Sequence, residues 1–288
     1  MQIRKAAIIL GACLGLVLPR LADASPVSHS WQALPATPAL PAPVRSGHAV
    51  VRGVSLYYAQ FGAGRPVVLL HGGLGNSEYW GHLVPALVAA HFSVTVIDSR
   101  GHGRSSRSVE PFGYGGMADD VLAVLDQLGL QQVDLVGWSD GGIIGLDISM
   151  RHPERLRRMV LYGANSDPGG VYPDVEKKPV FAAYIERAAR DYERLSPTPR
   201  EFDSFVAQIQ VMWAAEPRYT RAQLARISTP TLVCDGLHEE AIRGSHTRYL
   251  ARTIPGAKLL LLPGASHFGM LQTPAAFNHA VLGFLDVP

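Results

Sequence analysis

Short, continuously apolar runs alternate with helical patterns along most of the chain, and this alternation constrains the fold more than any other feature. Strands that are apolar on both sides are typical of a parallel sheet that helices cover on both faces. Two earlier runs, at 48–52 and 54–61, predict an antiparallel pair turned at Gly53. The sequence therefore predicts an α/β domain with a mostly parallel, eight-stranded sheet. The strands expected inside the sheet are 66–70, 94–97, 133–136, 159–162, 231–234 and 258–262, and the helices are 79–90, 116–128, 142–151, 246–253 and 274–285.

The alternation breaks in the middle of the chain, where no strand pattern occurs. Helical patterns lie at 179–195 and 200–215, and the insertion is too long for a bare loop in a compact domain. We expect residues 164–227 to form a small helical cap over the edge of the sheet. The whole domain is expected to span residues 47–288. A Pro- and Ala-rich stretch at 25–46 precedes it and predicts an extended linker.

Residues 1–24 have the features of a cleavable export signal. Two basic residues open the segment, residues 6–18 form an apolar run too short to span a bilayer comfortably, and Ala22 and Ala24 are the small residues that a signal peptidase reads. We therefore expect cleavage after Ala24 and a periplasmic or secreted protein. No stable membrane insertion is expected once the signal is removed.

The chain has two cysteines. Cys13 follows Leu-Gly-Ala in a run that resembles a lipobox, so lipidation is an alternative to cleavage, and an uncleaved N-terminal anchor is a second. If Cys13 is removed, Cys234 is the only cysteine left and no internal disulfide can form. Cys234 lies in an apolar run, which predicts a buried structural thiol.

Composition and spacing argue against several function classes. The formal net charge is only +2, and no dense Lys/Arg run occurs beyond the first residues, so we expect no nucleic-acid partner. Neither P-loop spacing nor a Gly-x-Gly-x-x-Gly run in its strand–helix context is present, and no cofactor is expected. His238, Glu239 and Glu240 lack the His-Glu-x-x-His spacing, so no metal site is expected either.

Ser139 is the predicted nucleophile, at the centre of a Gly-Trp-Ser-Asp-Gly run between a strand and a helix start. A serine on such a turn is held in strained geometry, which requires small residues two positions before and after it, here Gly137 and Gly141. An ordinary glycine-rich turn with a solvated serine is the alternative. Asp140 lies one residue beyond the central position, so it is expected to supply a backbone N–H to an oxyanion hole while its side chain points elsewhere.

The other predicted catalytic groups follow strand ends. Gly73, in the His-Gly-Gly turn after 66–70, is expected to supply the second N–H of the oxyanion hole. His267 is the predicted base among eleven histidines, because it follows the last strand on a small-residue loop. Glu239 is the favoured acid, three residues beyond Gly236.

Three other carboxylates stay open as the acid. They are Asp235, which directly follows the strand, and Glu240 and Asp167. The substrate pocket is expected to include Asn76, Trp80 and Trp138, together with Tyr79 and Trp213, although aromatic residues near a turn are as often part of the core.

The turns of Gly73 and Ser139 and the loops of Glu239 and His267 together resemble the α/β-hydrolase superfamily. The resemblance extends across nearly all of residues 48–288. The resemblance implies that fold, with helices on both faces of the sheet, and the order Ser, acid, His. Members usually carry aspartate where Glu239 stands. The Gly-Trp-Ser-Asp-Gly-Gly run and the Gly-Ala-Asn at 163–165 are similar to the valacyclovir hydrolase (biphenyl-hydrolase-like) members. In them the aspartate after the serine binds the α-amino group of the substrate, which implies a substrate-binding role for Asp140.

The sequence therefore predicts a serine hydrolase that cleaves carboxylic esters of a small molecule through an acyl-enzyme. Esters of α-amino acids are candidate substrates by resemblance. Hydrolysis of a carbon–carbon bond or cofactor-free peroxidation is the alternative within the enzymes. A non-catalytic binding protein of the same fold is the alternative outside them.

Overall fold

The computed structural model describes residues 29–286, which form an eight-stranded sheet with helices packed against it. The strands are β1 (Arg45–Val51), β2 (Val54–Phe61), β3 (Arg65–Leu70), β4 (Phe92–Ile97), β5 (Val133–Trp138), β6 (Leu156–Tyr162), β7 (Thr231–Gly236) and β8 (Lys258–Leu262). The helices are α1 (Leu83–Ala89), α2 (Tyr114–Gln127), α3 (Asp140–Arg151), α4 (Pro179–Leu195), α5 (Phe202–Ala215), α6 (Arg221–Leu224), α7 (Gly244–Thr253), α8 (Gly269–Gln272) and α9 (Pro274–Leu285).

The strand order is β1-β2-β4-β3-β5-β6-β7-β8. The first two strands pair antiparallel, β2 also pairs antiparallel with β4, and the remaining neighbours are all parallel. The predicted α/β-hydrolase fold class, with its mostly parallel eight-stranded sheet, is therefore confirmed. From β3 the chain moves to one side of the sheet to form β4, and then to the other side to form β5. Such a reversal opens a crevice at the carboxyl ends of the strands, where ligands bind in sheets of this kind.

The centre of the sheet is covered on both faces, as the apolar runs predict. Every residue of β5 and four of the six residues of β3 are buried. Helix α3 follows β5 and is buried at ten of its twelve positions, from Asp140 through Ser149. Residues directly after β3 and β5 are therefore held by rigid elements.

The insertion between β6 and β7 contains helices α4, α5 and α6. Helix α4 is amphipathic: Tyr184, Ala188 and Tyr192, spaced four residues apart, are buried, while most of its charged residues face outward. Helix α5 buries Phe205, Ile209 and Met212 in the same manner. These buried faces pack into the hydrophobic core of the domain.

The segment that precedes β1 is extended but lies against the domain. The sequence pattern predicts a linker up to residue 46, whereas β1 begins at Arg45. Leu34 and Leu40 pack against the hydrophobic core. The predicted signal segment, including Cys13, lies outside the described residues, so export and lipidation stay predictions. Within residues 29–286, none of the helices combines the length and apolar character that crossing a membrane requires. Cys234 is buried, as predicted.

A buried ion pair joins the turn after β4 to helix α2. The guanidinium of Arg100 donates to both carboxylate oxygens of Asp120, at 2.5 and 2.7 Å. Both side chains are almost completely excluded from solvent. The pair fixes the turn that continues through His102 toward Ser105.

Removing the carboxylate of Asp120 leaves the guanidinium of Arg100 buried without its partner. We expect Asp120→Ala to lower the free energy of unfolding by about 3–5 kcal/mol. Asp119 on the same helix is the matched control, because its ion pairs with Arg52 and Arg151 are solvent-exposed and such pairs contribute about 0–1 kcal/mol. Urea unfolding measures both variants, and equal losses would contradict the assignment.

Candidate active site

Ser139 occupies a strained turn between β5 and α3. Its backbone has φ 52° and ψ −118°, a conformation that side-chain-bearing residues rarely adopt. The neighbouring glycines make the turn possible. A Cβ at Gly141 would lie 2.1 Å from the carbonyl oxygen of Leu70, and one at Gly137 would lie 2.4 Å from the carbonyl oxygen of Gly141. The sequence therefore requires small residues at both positions to bring the turn against β3.

The N-terminus of α3 begins directly at the serine. The carbonyl of Ser139 accepts the N–H groups of Gly142 and Ile143, at 2.8 and 3.0 Å. Asp140 is the first helical residue, so its own N–H has no acceptor within the helix. Unpaired N–H groups at a helix start attract negative charge.

The turn after β3 is held by His71. The Nδ1 atom of this ring donates to the carbonyl of Gly72 at 2.8 Å, because its Nε2 atom accepts the N–H of Ser99 at 3.0 Å. The same carbonyl accepts the N–H of Gly75 at 3.0 Å. A trans peptide directs its C=O and N–H in opposite directions, so these bonds also fix the direction of the Gly73 N–H. Within residues 29–286, the N–H of Gly73 donates no backbone hydrogen bond.

The turn and the nucleophile are in contact. A Cβ at Gly72 would lie 3.0 Å from Cβ of Ser139. The N–H groups of Gly73 and Asp140 therefore come from the two segments that flank the serine.

His267 and Glu239 form a buried hydrogen-bonded pair. The Nδ1 atom of His267 lies 3.0 and 3.1 Å from the two carboxylate oxygens of Glu239. Oε1 of Glu239 also accepts the N–H groups of Ala241 and Ile242, at 2.6 and 3.0 Å. An acceptor on Nδ1 places the proton there and leaves the lone pair on Nε2.

Burial shifts the two members of this pair in opposite directions. It lowers the pKa of His267 and raises the pKa of Glu239 to about 7. Because the groups share a hydrogen bond, their protons leave in steps that belong to the pair. A histidine with a lowered pKa is neutral at neutral pH, which is the form that accepts a proton.

The other acid candidates have different partners. Glu240 accepts the backbone N–H of His267 at 3.2 Å and the hydroxyl of Ser266 at 3.1 Å. Asp235 accepts the hydroxyl of Thr247 at 2.6 Å and the N–H of the next residue. The structure thus places Glu239 on the imidazole and Glu240 on the peptide that carries it.

The fourth acid candidate, Asp167, lies near a different histidine. Its carboxylate is 3.8 Å from Nδ1 of His246, whose Nε2 atom accepts the N–H of Ser166 at 2.9 Å. His246 is mostly buried, and the carboxylate of Asp167 therefore faces this histidine rather than His267.

The carboxylate of Asp140 faces the turn after β3. It accepts the hydroxyl of Tyr114 at 2.8 Å and the Nε1–H of Trp213 at 2.9 Å. A Cβ at Gly73 would lie 2.6 Å from Oδ2 of Asp140 and 2.4 Å from the ring of Trp213. The expectation that this side chain points away from the site is therefore wrong. Burial raises the pKa of Asp140, and no ion pair to it is formed by residues 29–286.

Aromatic rings surround the imidazole of His267. The ring centroids of Trp138, Phe181 and Phe268 lie 5.9, 5.9 and 5.6 Å from it. Trp138, predicted to line the pocket, is buried in this cluster. Tyr184 on α4 joins the cluster and donates its hydroxyl to the carbonyl of Gly73 at 2.5 Å. Helix α4 therefore contacts the turn of Gly73 directly.

The remaining predicted pocket residues have structural contacts. Asn76 accepts the N–H of Glu78 and caps the short helical turn Ser77–Trp80. Trp80 is completely buried and packs near Phe277 of α9. These contacts favour a turn-capping role for Asn76 and a core role for Trp80.

Sequence patterns missed several groups that contact the site. Tyr114, Phe181 and Tyr184 lie on α2 and α4, and no local signal distinguishes them from core residues. In residues 29–286, no group of three or more His, Cys, Asp or Glu side chains is arranged to hold a metal ion.

Comparisons with known proteins agree with this architecture. A family model described as alpha/beta hydrolase fold matches residues 65–195. The chain is 31% identical over 246 residues to the putative carbamate hydrolase RutD of Agrobacterium fabrum, covering 76% of this chain and 93% of that protein. It is 29% identical over 256 residues to the serine hydrolase BPHL of Mus musculus, covering 84% of this chain and 87% of that protein.

A solved structure gives the same picture in three dimensions. A hydrolase from Pseudomonas aeruginosa superposes with a TM-score of 0.66 at 29% identity, covering 85% of this chain and 99% of that one. The similarity thus extends over most of the chain.

Substitution by alanine should change the stability in opposite directions at two glycines, one in the turn of Ser139 and one in helix α2. Gly141→Ala places a methyl group against the Leu70 carbonyl, and we expect it to lower the free energy of unfolding by about 1–3 kcal/mol. Gly116→Ala in α2 is the matched control, because no atom lies within 4 Å of its added Cβ. There the loss of a flexible residue in a helix should stabilise by about 0.5 kcal/mol. Urea unfolding distinguishes them, and unchanged stability of Gly141→Ala argues against this geometry.

Proposed function

Because the chain belongs to the α/β hydrolase family, we propose that it is a serine hydrolase that cleaves carboxylic esters of small molecules. The observation that carries the proposal is the buried pair of His267 and Glu239, which lies beside the strained turn of Ser139. A nucleophile on a turn, a base oriented by a carboxylate, and paired backbone N–H donors are what acyl transfer requires.

In the proposed reaction, the Oγ of Ser139 attacks the ester carbonyl and Nε2 of His267 accepts its proton. Glu239, which accepts the Nδ1–H, stabilises the imidazolium that results. The N–H groups of Gly73 and Asp140 bind the developing oxyanion. Collapse of the tetrahedral intermediate breaks the C–O bond, and the imidazolium returns its proton to the departing alcohol. Water then attacks the acyl-enzyme by the same steps and releases the acid.

The surroundings of the base support this assignment. The lone pair on Nε2 is left free because Nδ1 is the donor to Glu239. Burial lowers the pKa of His267, so the ring is a neutral acceptor at neutral pH. The aromatic side chains around it exclude water, which strengthens the electrostatic interactions of the pair.

Covalent labelling tests the proposal directly. We expect the native protein to hydrolyse p-nitrophenyl esters and to react with a fluorophosphonate probe, while Ser139→Ala does neither. The native protein and Ser139→Ala should unfold at similar temperatures. The side chain of Ser139 makes no hydrogen bond within residues 29–286 that the alanine would lose. If the native, folded protein fails to react with the probe, the proposal is wrong.

The same substitution at two adjacent glutamates distinguishes the proposed acid, Glu239, from its neighbour, Glu240. Glu239→Gln keeps the shape but removes the charge facing Nδ1, and we expect kcat to fall by about 10³–10⁴-fold. Glu240→Gln changes only bonds to the backbone N–H of His267 and to Ser266, and roughly a fivefold loss is expected. Steady-state kinetics with one ester compares them. A larger loss in Glu240→Gln would mean that the acid is misassigned.

Within this reaction we propose α-amino-acid esters as a substrate class. The carboxylate of Asp140 is buried beside Gly73, and its partners among residues 29–286 are the neutral donors Tyr114 and Trp213. A substrate ammonium group there would supply the missing positive charge, and a charged hydrogen bond contributes about 1.5–3 kcal/mol.

Substitution of Asp140 tests that preference. We expect the native protein to turn over an α-amino ester with a higher kcat/KM than its N-acetyl analogue. In Asp140→Asn the advantage should fall by roughly tenfold to a hundredfold, which is the range of a charged hydrogen bond. The N-acetyl ester serves as the control, because it has no ammonium group and its turnover therefore does not depend on a charged contact with the side chain of residue 140. Equal preference in both proteins would contradict an ammonium site at Asp140.

A further inference from the structure

The segment 30–37, here called the strap, crosses the two loops that carry Glu239 and His267. It precedes β1 and includes the helical turn Ser30–Gln32. Its contacts are specific rather than a general apolar covering. They reach the loop after β7, the loop after β8 and the cap helix α4.

One end of the strap holds both catalytic loops. The indole of Trp31 stacks on the imidazole of His238, with ring centroids 3.7 Å apart and planes 7° apart. His238 is the residue before Glu239. The hydroxyl of Ser30 donates to the carbonyl of Gly264, at the start of the loop that carries His267.

Gln272 connects the strap to the residue beside His267. Its Oε1 atom accepts the N–H of Ser266 at 2.7 Å, and its Nε2 atom donates to Oγ of Ser266 at 3.0 Å. The same Nε2 atom donates to the carbonyl of Ala33 in the strap, at 2.9 Å. The hydroxyl of Ser266 in turn donates to Glu240, which accepts the backbone N–H of His267. Gln272 is buried, so its amide group bonds to these protein atoms rather than to solvent.

The other end of the strap is bound to the cap. The guanidinium of Arg187 on α4 donates to the carbonyls of Leu34 and Pro35, at 2.9 and 2.7 Å. The same helix places Tyr184 on the oxyanion turn. The strap thus links the helix over the site to the loops beneath it.

We propose that Gln272 is a positioning residue for His267 and that the strap, through Gln272 and Trp31, holds the loops of the base and the acid in register. The proposal rests on the proposed function, in which His267 is the base. The position of a general base controls proton transfer, whereas it contributes little to substrate binding. Loss of the strap contacts should therefore lower kcat more than it raises KM.

Two variants and a matched control test the proposal. Trp31→Ala removes the ring stack from a half-buried position, and Gln272→Met removes both amide hydrogen-bonding atoms at similar length. Gln32→Ala is the control, because that side chain is exposed in the same helical turn. We expect kcat for a p-nitrophenyl ester to fall roughly tenfold to a hundredfold in the two variants, with KM within about twofold. Gln32→Ala should match the native protein.

Hydrogen–deuterium exchange provides a readout that does not depend on catalysis. The N–H of Ser266 is bonded to Gln272, so exchange in peptides covering residues 262–272 should accelerate in Trp31→Ala and Gln272→Met and stay unchanged in Gln32→Ala. If Gln272→Met does not fold, Trp31→Ala alone decides.

The possible results separate the two proposals. An active native protein with Trp31→Ala equal to Gln32→Ala in both kcat and exchange overturns the role of the strap. Equal rises in KM and losses in kcat would indicate a merely structural contact and also overturn it. A native protein that neither hydrolyses esters nor reacts with a fluorophosphonate overturns the proposed function, while the exchange comparison still decides whether the strap holds the loop.

Discussion

The close approach of Gly141 to the end of β3 is the contact on which the rest of the site depends. Because no side chain separates them, α3 can begin against the carbonyl of Leu70, and Ser139 has a positive φ of 52° at the turn into this helix. The same approach brings the turn of Gly73 to the serine, so that one backbone N–H from the turn after β3 and one from the start of α3 lie on either side of Ser139. The parallel pairing of β3 with β5 supplies the rigid support for this arrangement.

Neutral hydrogen-bond donors stabilise the carboxylates around this turn. Asp140 is bonded to a phenol and an indole, Asp235 to a hydroxyl and a backbone N–H, and Glu240 to a hydroxyl and a backbone N–H. Burial raises the pKa of each. In the proposed mechanism an imidazolium at His267 would form among these acids, and their charge would offset part of the cost of creating a buried cation. The proposed mechanism uses this balance, with Glu239 as the carboxylate in direct contact.

The parts of the molecule that could be predicted from the sequence are those that local interactions determine. The strands follow from apolar runs, and helix α4 and helix α9 begin and end at the predicted residues, because periodicity and proline at the first turn are local signals. The nucleophile turn is predictable because strain restricts its residue types. The contact of Trp213 with Asp140 joins positions 73 residues apart, and no local pattern encodes it. Trp80 was predicted to line the pocket but lies in the core. An aromatic residue near a turn gives the same sequence pattern in either place.

Glutamate at position 239 is explained by the bonds that its carboxylate makes. The longer side chain has one more rotatable bond than aspartate, and ordering it costs more conformational entropy. The N–H groups of Ala241 and Ile242 both bind Oε1, which fixes the carboxylate before the imidazole contacts it. Both oxygens then lie within 3.1 Å of Nδ1 of His267. The loop after β7 therefore orders the acid through its own backbone, and the strap stacked on His238 holds that loop from outside.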